Sequence, residues 1–355
     1  MVTAARGFDP RTLRRDYGDI TAEARSARSG AALFDFSFMG RIVIRGAGAP
    51  ALVQTLTPRP LIDLVPGRIR YALTLDREGN VRSDITVWRL DAETFEVFAG
   101  TSDAVADLLS AAGLAASVHN VSEDSAILAV QGPWSLHALA AIADTSIIKA
   151  LPYFAHAETR IAGTACRIGR LGYTGERGFE IVLSQNSRGT LWAALAQHAR
   201  PAGFAAADIL RIEAGFPLFV NEFVFAALPS EVGLARFAAT SVCGPTASRM
   251  HPIRLACFQA DADADPILWQ PRKNADFPPG PGSLLVTSAC RSIVGKQILG
   301  LGYVRAAHAA PHLIDPTGEF CNIREVSRPF YDPYKRRPRG GWNDGLLPTQ
   351  PGGTH

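Results

Sequence analysis

The chain has 355 residues, of which 47% are apolar and 19% charged, with a formal net charge of +3. That length exceeds one ordinary core and suits a globular protein of two or three domains. The charge is too weak to argue for nucleic acid, and no apolar run approaches the roughly 20 residues a membrane span needs. The N-terminus, Met1 to Asp9, lacks the apolar run of a signal peptide. Five scattered cysteines with no CxxC, and histidines with no HxH or HExxH, argue for reduced thiols, a cytoplasmic setting and no metal site.

In chain order, Thr21 to Ser29 reads as a helix, and Ile42 to Arg45 as a strand closed by Gly46. Ala49 to Leu56 fits a short helix ended by Pro58 and Pro60. Arg68 to Leu75 and Val81 to Leu90 read as strands around the turn Asp76–Asn80, with Thr94 to Gly100 as a third strand. Ser102 is the expected N-cap of a helix reaching Ala112. Ile127 to Val130, Arg160 to Gly169 and Gly178 to Leu183 read as strands. Trp134 to Ile142 and Arg188 to Ala199 read as helices, and Asp208 to Ala214 opens an amphipathic segment. Later, Asp261–Asp265 and Pro278–Gly282 look like loops, and Ser283–Val286 and Ile298–Val304 like short strands.

The expected class is α+β. An N-terminal α+β domain spans 1–150 with its core at 31–100, a second α+β domain 151–244, a β-rich domain 245–340, and a Gly/Pro-rich disordered tail 341–355. The basic run Lys335–Arg339 is either a solvated patch or a contact for an anionic ligand tail or partner.

The most informative stretch is Arg170-Leu-Gly-Tyr-Thr-Gly-Glu-Arg-Gly-Phe-Glu-Ile181. Gly172, Gly175 and Gly178 allow tight turning or close approach of backbone. No helix pattern follows them, which excludes a dinucleotide-binding fingerprint. Glu180 stands in an apolar strand, where a carboxylate is costly unless something bonds to it. It is either a solvated strand-face residue or the acceptor for paired N–H groups of a flat heterocycle, with Tyr173 as a ring wall. In Arg82-Ser-Asp-Ile-Thr-Val-Trp88, alternation places Asp84, Thr86 and Trp88 on one face, so Asp84 would point into a cavity lined by Trp88.

These residues resemble a known family. Tyr173–Glu180 resembles the YTGExGxE segment of the glycine cleavage T-protein family, the folate-dependent aminomethyltransferases. Leu33–Gly40 is similar to LFDxSHMG, Asp208–Gly215 to RDxLRLEAG, and Pro229–Leu234 to PxEAGL. Val286–Ser288, Gly302–Val304 and Arg328–Pro333 match in order. The Ser83-Asp84 pair within Gly79–Val87 is similar to the folate domains of dimethylglycine and sarcosine oxidising enzymes. The resemblance implies three domains in a ring around a site for tetrahydrofolate, the acceptor cosubstrate. It implies that Asp84 is the catalytic carboxylate and that Glu180 binds the pterin. Tyr71 and Tyr173 take ring positions beside the folate, Met39 an apolar pocket position, and Arg211 the place of a folate-site arginine.

The family histidine of SHMG is Phe38 here, the position before Asp84 is Ser83, and Val97–Thr101 lacks a frequent asparagine. A less polar donor side is implied. The leading expectation is a tetrahydrofolate-dependent methyl or methylene transferase, or demethylase, acting on a small methylated donor and closer to the demethylase and sarcosine-type paralogues than to the T-protein. The alternatives are the glycine cleavage aminomethyltransferase, which needs a lipoylated carrier protein, and a non-enzymatic folate-binding factor. Asp84, and the lack of a cysteine in Arg170–Glu176, favour an enzyme. Neither nucleic acid nor membrane is expected as a partner, and a monomer and a dimer fit equally.

Overall fold

The computed structural model describes residues 8–100, 116–238, 252–272, 275–306, 312–327 and 330–342. Three sheets carry the fold, which is α+β. A five-stranded antiparallel sheet runs, in spatial order, through Ile69–Leu75, Val81–Arg89, Thr94–Ala99, Gly40–Arg45 and Ser117–Asn120. A six-stranded sheet runs through Arg200–Pro201, Ala32–Asp35, Ser125–Gln131, Gly178–Ser184, Thr164–Gly169 and His156–Ile161. A four-stranded antiparallel sheet runs through Leu285–Arg291, Ile298–Arg305, Ile253–Asp261 and Cys321–Val326. The largest core cluster draws Leu73, Phe34 and Leu301 from these three sheets, so their inner faces pack on one another.

The elements follow the expected order, with differences that have physical causes. Arg160–Gly169 is not one strand. It belongs to a hairpin, His156–Ile161 against Thr164–Gly169, that turns at Ala162-Gly163. Both turn residues have positive φ, 48° and 75°, as a twist-matched two-residue hairpin requires. The nine-residue strand Ile253–Asp261 is absent from the sequence reading: Pro252 precedes it, but its run Leu255–Phe258 is apolar throughout and lacks the alternation of a half-buried strand. The helix expected over Ser102–Ala112 lies outside the described residues.

The six-stranded sheet takes strands from both sides of residue 150, so no sheet boundary falls there. Of the tail expected over 341–355, Gly341 and Trp342 are described. Trp342 is docked rather than loose: it is buried and stacks on Phe179 at 5.1 Å between ring centroids. Among the described residues, no helix is long and apolar enough to cross a membrane.

Candidate active site

A cavity of about 1010 Å3 opens where the three sheets and the segments joining them meet. Its volume is at the upper end of the usual range for small-molecule sites. The hairpin Ile69–Leu75/Val81–Arg89 supplies one wall. Tyr71 pairs with Thr86 and Leu73 with Asp84, which sets Tyr71 and Asp84 diagonally across the ladder. Tyr71, Asp84 and Thr86 all line the cavity. Burial raises the Asp84 carboxyl to about pH 6, against a hydrogen bond from the Tyr71 side chain that favours the ionised form.

The segment 170–181 supplies the opposite wall. Its turn is built on the buried Gln131. The Gln131 amide donates to Leu171 O (3.1 Å) and Phe179 O (3.2 Å), and its carbonyl accepts from the Thr174 hydroxyl (3.0 Å). Glycine is required at 172 because a Cβ there would lie 1.9 Å from Gln131 Oε1. Gly175 is required on different grounds, a φ of 78°. The strand Gly178–Ser184 then carries Glu180 between Ala129 and Gly169 on its neighbours. Such small neighbours leave the Glu180 side chain open to the cavity it lines. Burial alone raises the Glu180 carboxyl to about pH 7, and no side-chain hydrogen bond or ion pair to it occurs among the described residues.

Tyr173 also lines the cavity. Its hydroxyl donates to Pro217 O at 2.6 Å, and its ring stacks on Phe216 at 6.0 Å and 15°. Burial pushes this phenol well above its ordinary range, so it stays protonated. Met39 lies on an apolar side with Phe36, Phe38, Phe204 and Phe219. Phe38 stacks on Phe8 at 5.0 Å and meets Phe204 edge-on at 5.5 Å.

Two residues stand elsewhere than the sequence suggests. Trp88 does not line the cavity: it is buried against Phe98 and His156, and its indole N–H reaches Thr86 Oγ1 at 3.1 Å. Alternation gave its face correctly, but that face is covered at this end by the neighbouring sheet. Arg211 is fully buried behind the cavity rather than in its lining. It pairs with Asp208 and Glu222, donates to Ser288 Oγ (2.6 Å), and holds Phe216 O (3.1 Å) on the loop that does line it.

Sequence reasoning missed the cations Arg59 and Arg236, which line the cavity in segments with no motif. Lys335 and Arg339 line it too, and the basic run Lys335–Arg339 was their signal. The same segment 170–181 anchors them. Arg170 donates to Gly340 O, Arg177 to Gly341 O, and the Tyr331 hydroxyl to Glu176. Among the described residues no group of three or more His, Cys, Asp or Glu is placed to hold a metal.

Residues 5–241 match the family model described as GCVT N-terminal domain. The aminomethyltransferase of Streptomyces avermitilis is 32% identical over 339 residues, covering 89% of this chain and 90% of that protein. The aminomethyltransferase of Streptomyces coelicolor is 33% identical over 342 residues, with 89% and 90% covered. In fold, the chain is similar to the glycine cleavage system aminomethyltransferase T of Bartonella henselae, at a TM-score of 0.71 and 23% identity over 88% of this chain and 90% of that one. The motif order, the two-carboxylate cavity and these likenesses agree: the chain belongs to the GCVT family of one-carbon group transferases, whose cosubstrate is tetrahydrofolate.

Proposed function

We propose that this chain moves an aminomethyl carbon from a lipoylated carrier protein to tetrahydrofolate, the type of activity for which its curated relatives are named. The observation that carries the reading is a single cavity lined by two carboxyls held near neutrality, Asp84 at about 6 and Glu180 at about 7. The side chains present suit the cosubstrate. Glu180 is open to the cavity and has no competing partner among the described residues, so it can accept parallel N–H bonds from the amide-like edge of a pterin. The stacked rings of Tyr173 and Phe216 offer a flat wall. When bound, tetrahydrofolate supplies the nitrogen that accepts the carbon.

Asp84 is the residue we assign to proton movement. A carboxyl raised to about 6 holds or releases a proton with little cost near neutral pH. Its charged form also stabilises positive charge developing beside it. The Tyr71 hydroxyl orients that carboxylate. Met39 and the phenylalanines keep one wall free of competing polar groups. Arg211 acts at one remove, as a positioning residue for the Phe216 loop.

A second reading, a small methylated donor in place of the carrier, is favoured by Phe38 in the family's histidine position and its packing among Phe8, Phe36 and Phe204. A single-turnover assay separates the two. Carrier loaded with an aminomethyl group should yield one-carbon-loaded tetrahydrofolate with wild type. If folate binds and the carrier delivers nothing, the small-donor reading replaces the carrier reading.

A further inference from the structure

Thr86 puts a hydroxyl in the cavity lining two residues after Asp84, on the strand Val81–Arg89. The two side chains therefore share a face of the sheet. The buried Trp88 follows on that face, and its ring packs against Gly169, where a Cβ would lie 2.2 Å from Trp88 Cη2. Gly169 is paired with Glu180 in the six-stranded sheet. Thr86 thus stands on the side of Asp84 that leads toward Glu180.

The Trp88 indole N–H donates to Thr86 Oγ1 at 3.1 Å. An indole nitrogen donates and never accepts, so Thr86 is the acceptor in this bond and keeps its own proton for another partner. No acceptor for that proton occurs among the described residues. The strand therefore presents a hydroxyl donor, held by a buried ring, to whatever occupies the cavity between the two carboxylates.

A pterin has one acceptor that suits this donor. With its amino and ring N–H groups on Glu180, its ring carbonyl comes next around the ring, between that N–H edge and the nitrogens that accept the carbon. Asp84 serves those nitrogens, so the carbonyl falls between the two carboxylates, as Thr86 does. A carbonyl enclosed there without a donor would be costly. We propose that Thr86 is a specificity-determining residue that donates its hydroxyl proton to the ring carbonyl oxygen of tetrahydrofolate. The proposal deepens the one-carbon reading above and rests on it for the identity of the ligand.

Calorimetric titration of tetrahydrofolate into wild type, Thr86→Val, Thr86→Ala and Thr86→Ser tests this, together with infrared spectra of bound cosubstrate isotope-labelled at the ring carbonyl. Valine keeps the shape of threonine and suits a strand, and alanine leaves the indole N–H open to water. Both should weaken binding by about fivefold, the worth of one neutral hydrogen bond, while serine stays within about twofold of wild type. The labelled carbonyl band should lie at lower frequency in wild type and Thr86→Ser than in Thr86→Val and Thr86→Ala. Equal affinity across the four proteins, or one band frequency in all of them, would overturn the proposal. Serine as weak as valine would also overturn it, by making the effect one of packing. If wild type fails to bind tetrahydrofolate, the one-carbon reading falls and the proposal with it. If wild type binds and only the Thr86 comparisons fail, that reading stands.

Discussion

Asp84 and Glu180 are carboxyls that the folded chain holds above their ordinary range, and this sets the pH behaviour. Glu180 accepts two parallel N–H bonds only when ionised, so tetrahydrofolate affinity should rise as pH passes through about 7. Glu180→Gln should flatten that rise and weaken binding by roughly tenfold to a hundredfold, the worth of hydrogen bonds to a charged group. The unliganded protein should behave in the opposite sense. A carboxyl raised from 4.5 to about 7 binds more protons folded than unfolded, so stability falls as pH rises across that interval. Denaturant unfolding at about pH 5 and about pH 8 measures the slope, which Glu180→Gln should reduce. Asp84→Asn keeps shape and removes the proton-carrying group. Its tetrahydrofolate affinity should stay near that of wild type, while single-turnover transfer falls by about a hundredfold or more.

The turn 170–181 shows how one element serves both site and scaffold. Leu171, Gly172, Tyr173 and Glu180 face the cavity, while Arg170, Glu176, Arg177 and Phe179 hold residues 331–342. Everything in the turn depends on Gln131, which lies on the neighbouring strand. Gly172→Ala would push a methyl group onto its amide and disrupt bonds to Leu171, Phe179 and Thr174. The expected loss is about 2–4 kcal/mol in chemical denaturation, the sum of strained packing and unsatisfied buried groups. The glycine spacing is legible in the sequence because it is local. What Gly172 makes room for is not, because Gln131, on the adjacent strand in space, is some 40 residues away in the sequence. Arg211 is the same lesson: its motif is visible, but its burial behind the loop rather than in the cavity is set by Glu222 and Ser288, on other elements.

Across the molecule, Arg28 ties the site together. It donates to Thr174 O at 2.7 Å and Glu213 Oε2 at 2.8 Å, pairs with Glu176 at 3.3 Å, and packs on the Tyr331 ring at 3.9 Å. Its partners come from the motif turn, the helix Phe204–Glu213 and the C-terminal segment. Arg28→Met would leave Glu176 and Glu213 buried without that charge, which should cost about 3–5 kcal/mol in urea unfolding. Nothing local marks Arg28, which sits in a polar, Arg-rich stretch of ordinary appearance. The strand and helix order was largely readable from periodicity and turn residues. The sharing of the six-stranded sheet by Ala32–Asp35, Ser125–Gln131 and the strands after residue 155 was not, because sheet pairing joins residues that sequence patterns treat separately.

The most direct measurement is calorimetric titration of tetrahydrofolate into wild type, Glu180→Ala and Asp84→Asn, followed by single-turnover transfer on the same samples. The two-carboxylate cavity predicts binding by wild type and Asp84→Asn, severe loss of affinity in Glu180→Ala, and transfer by wild type only. Undiminished binding in Glu180→Ala, or undiminished transfer by Asp84→Asn, would contradict it.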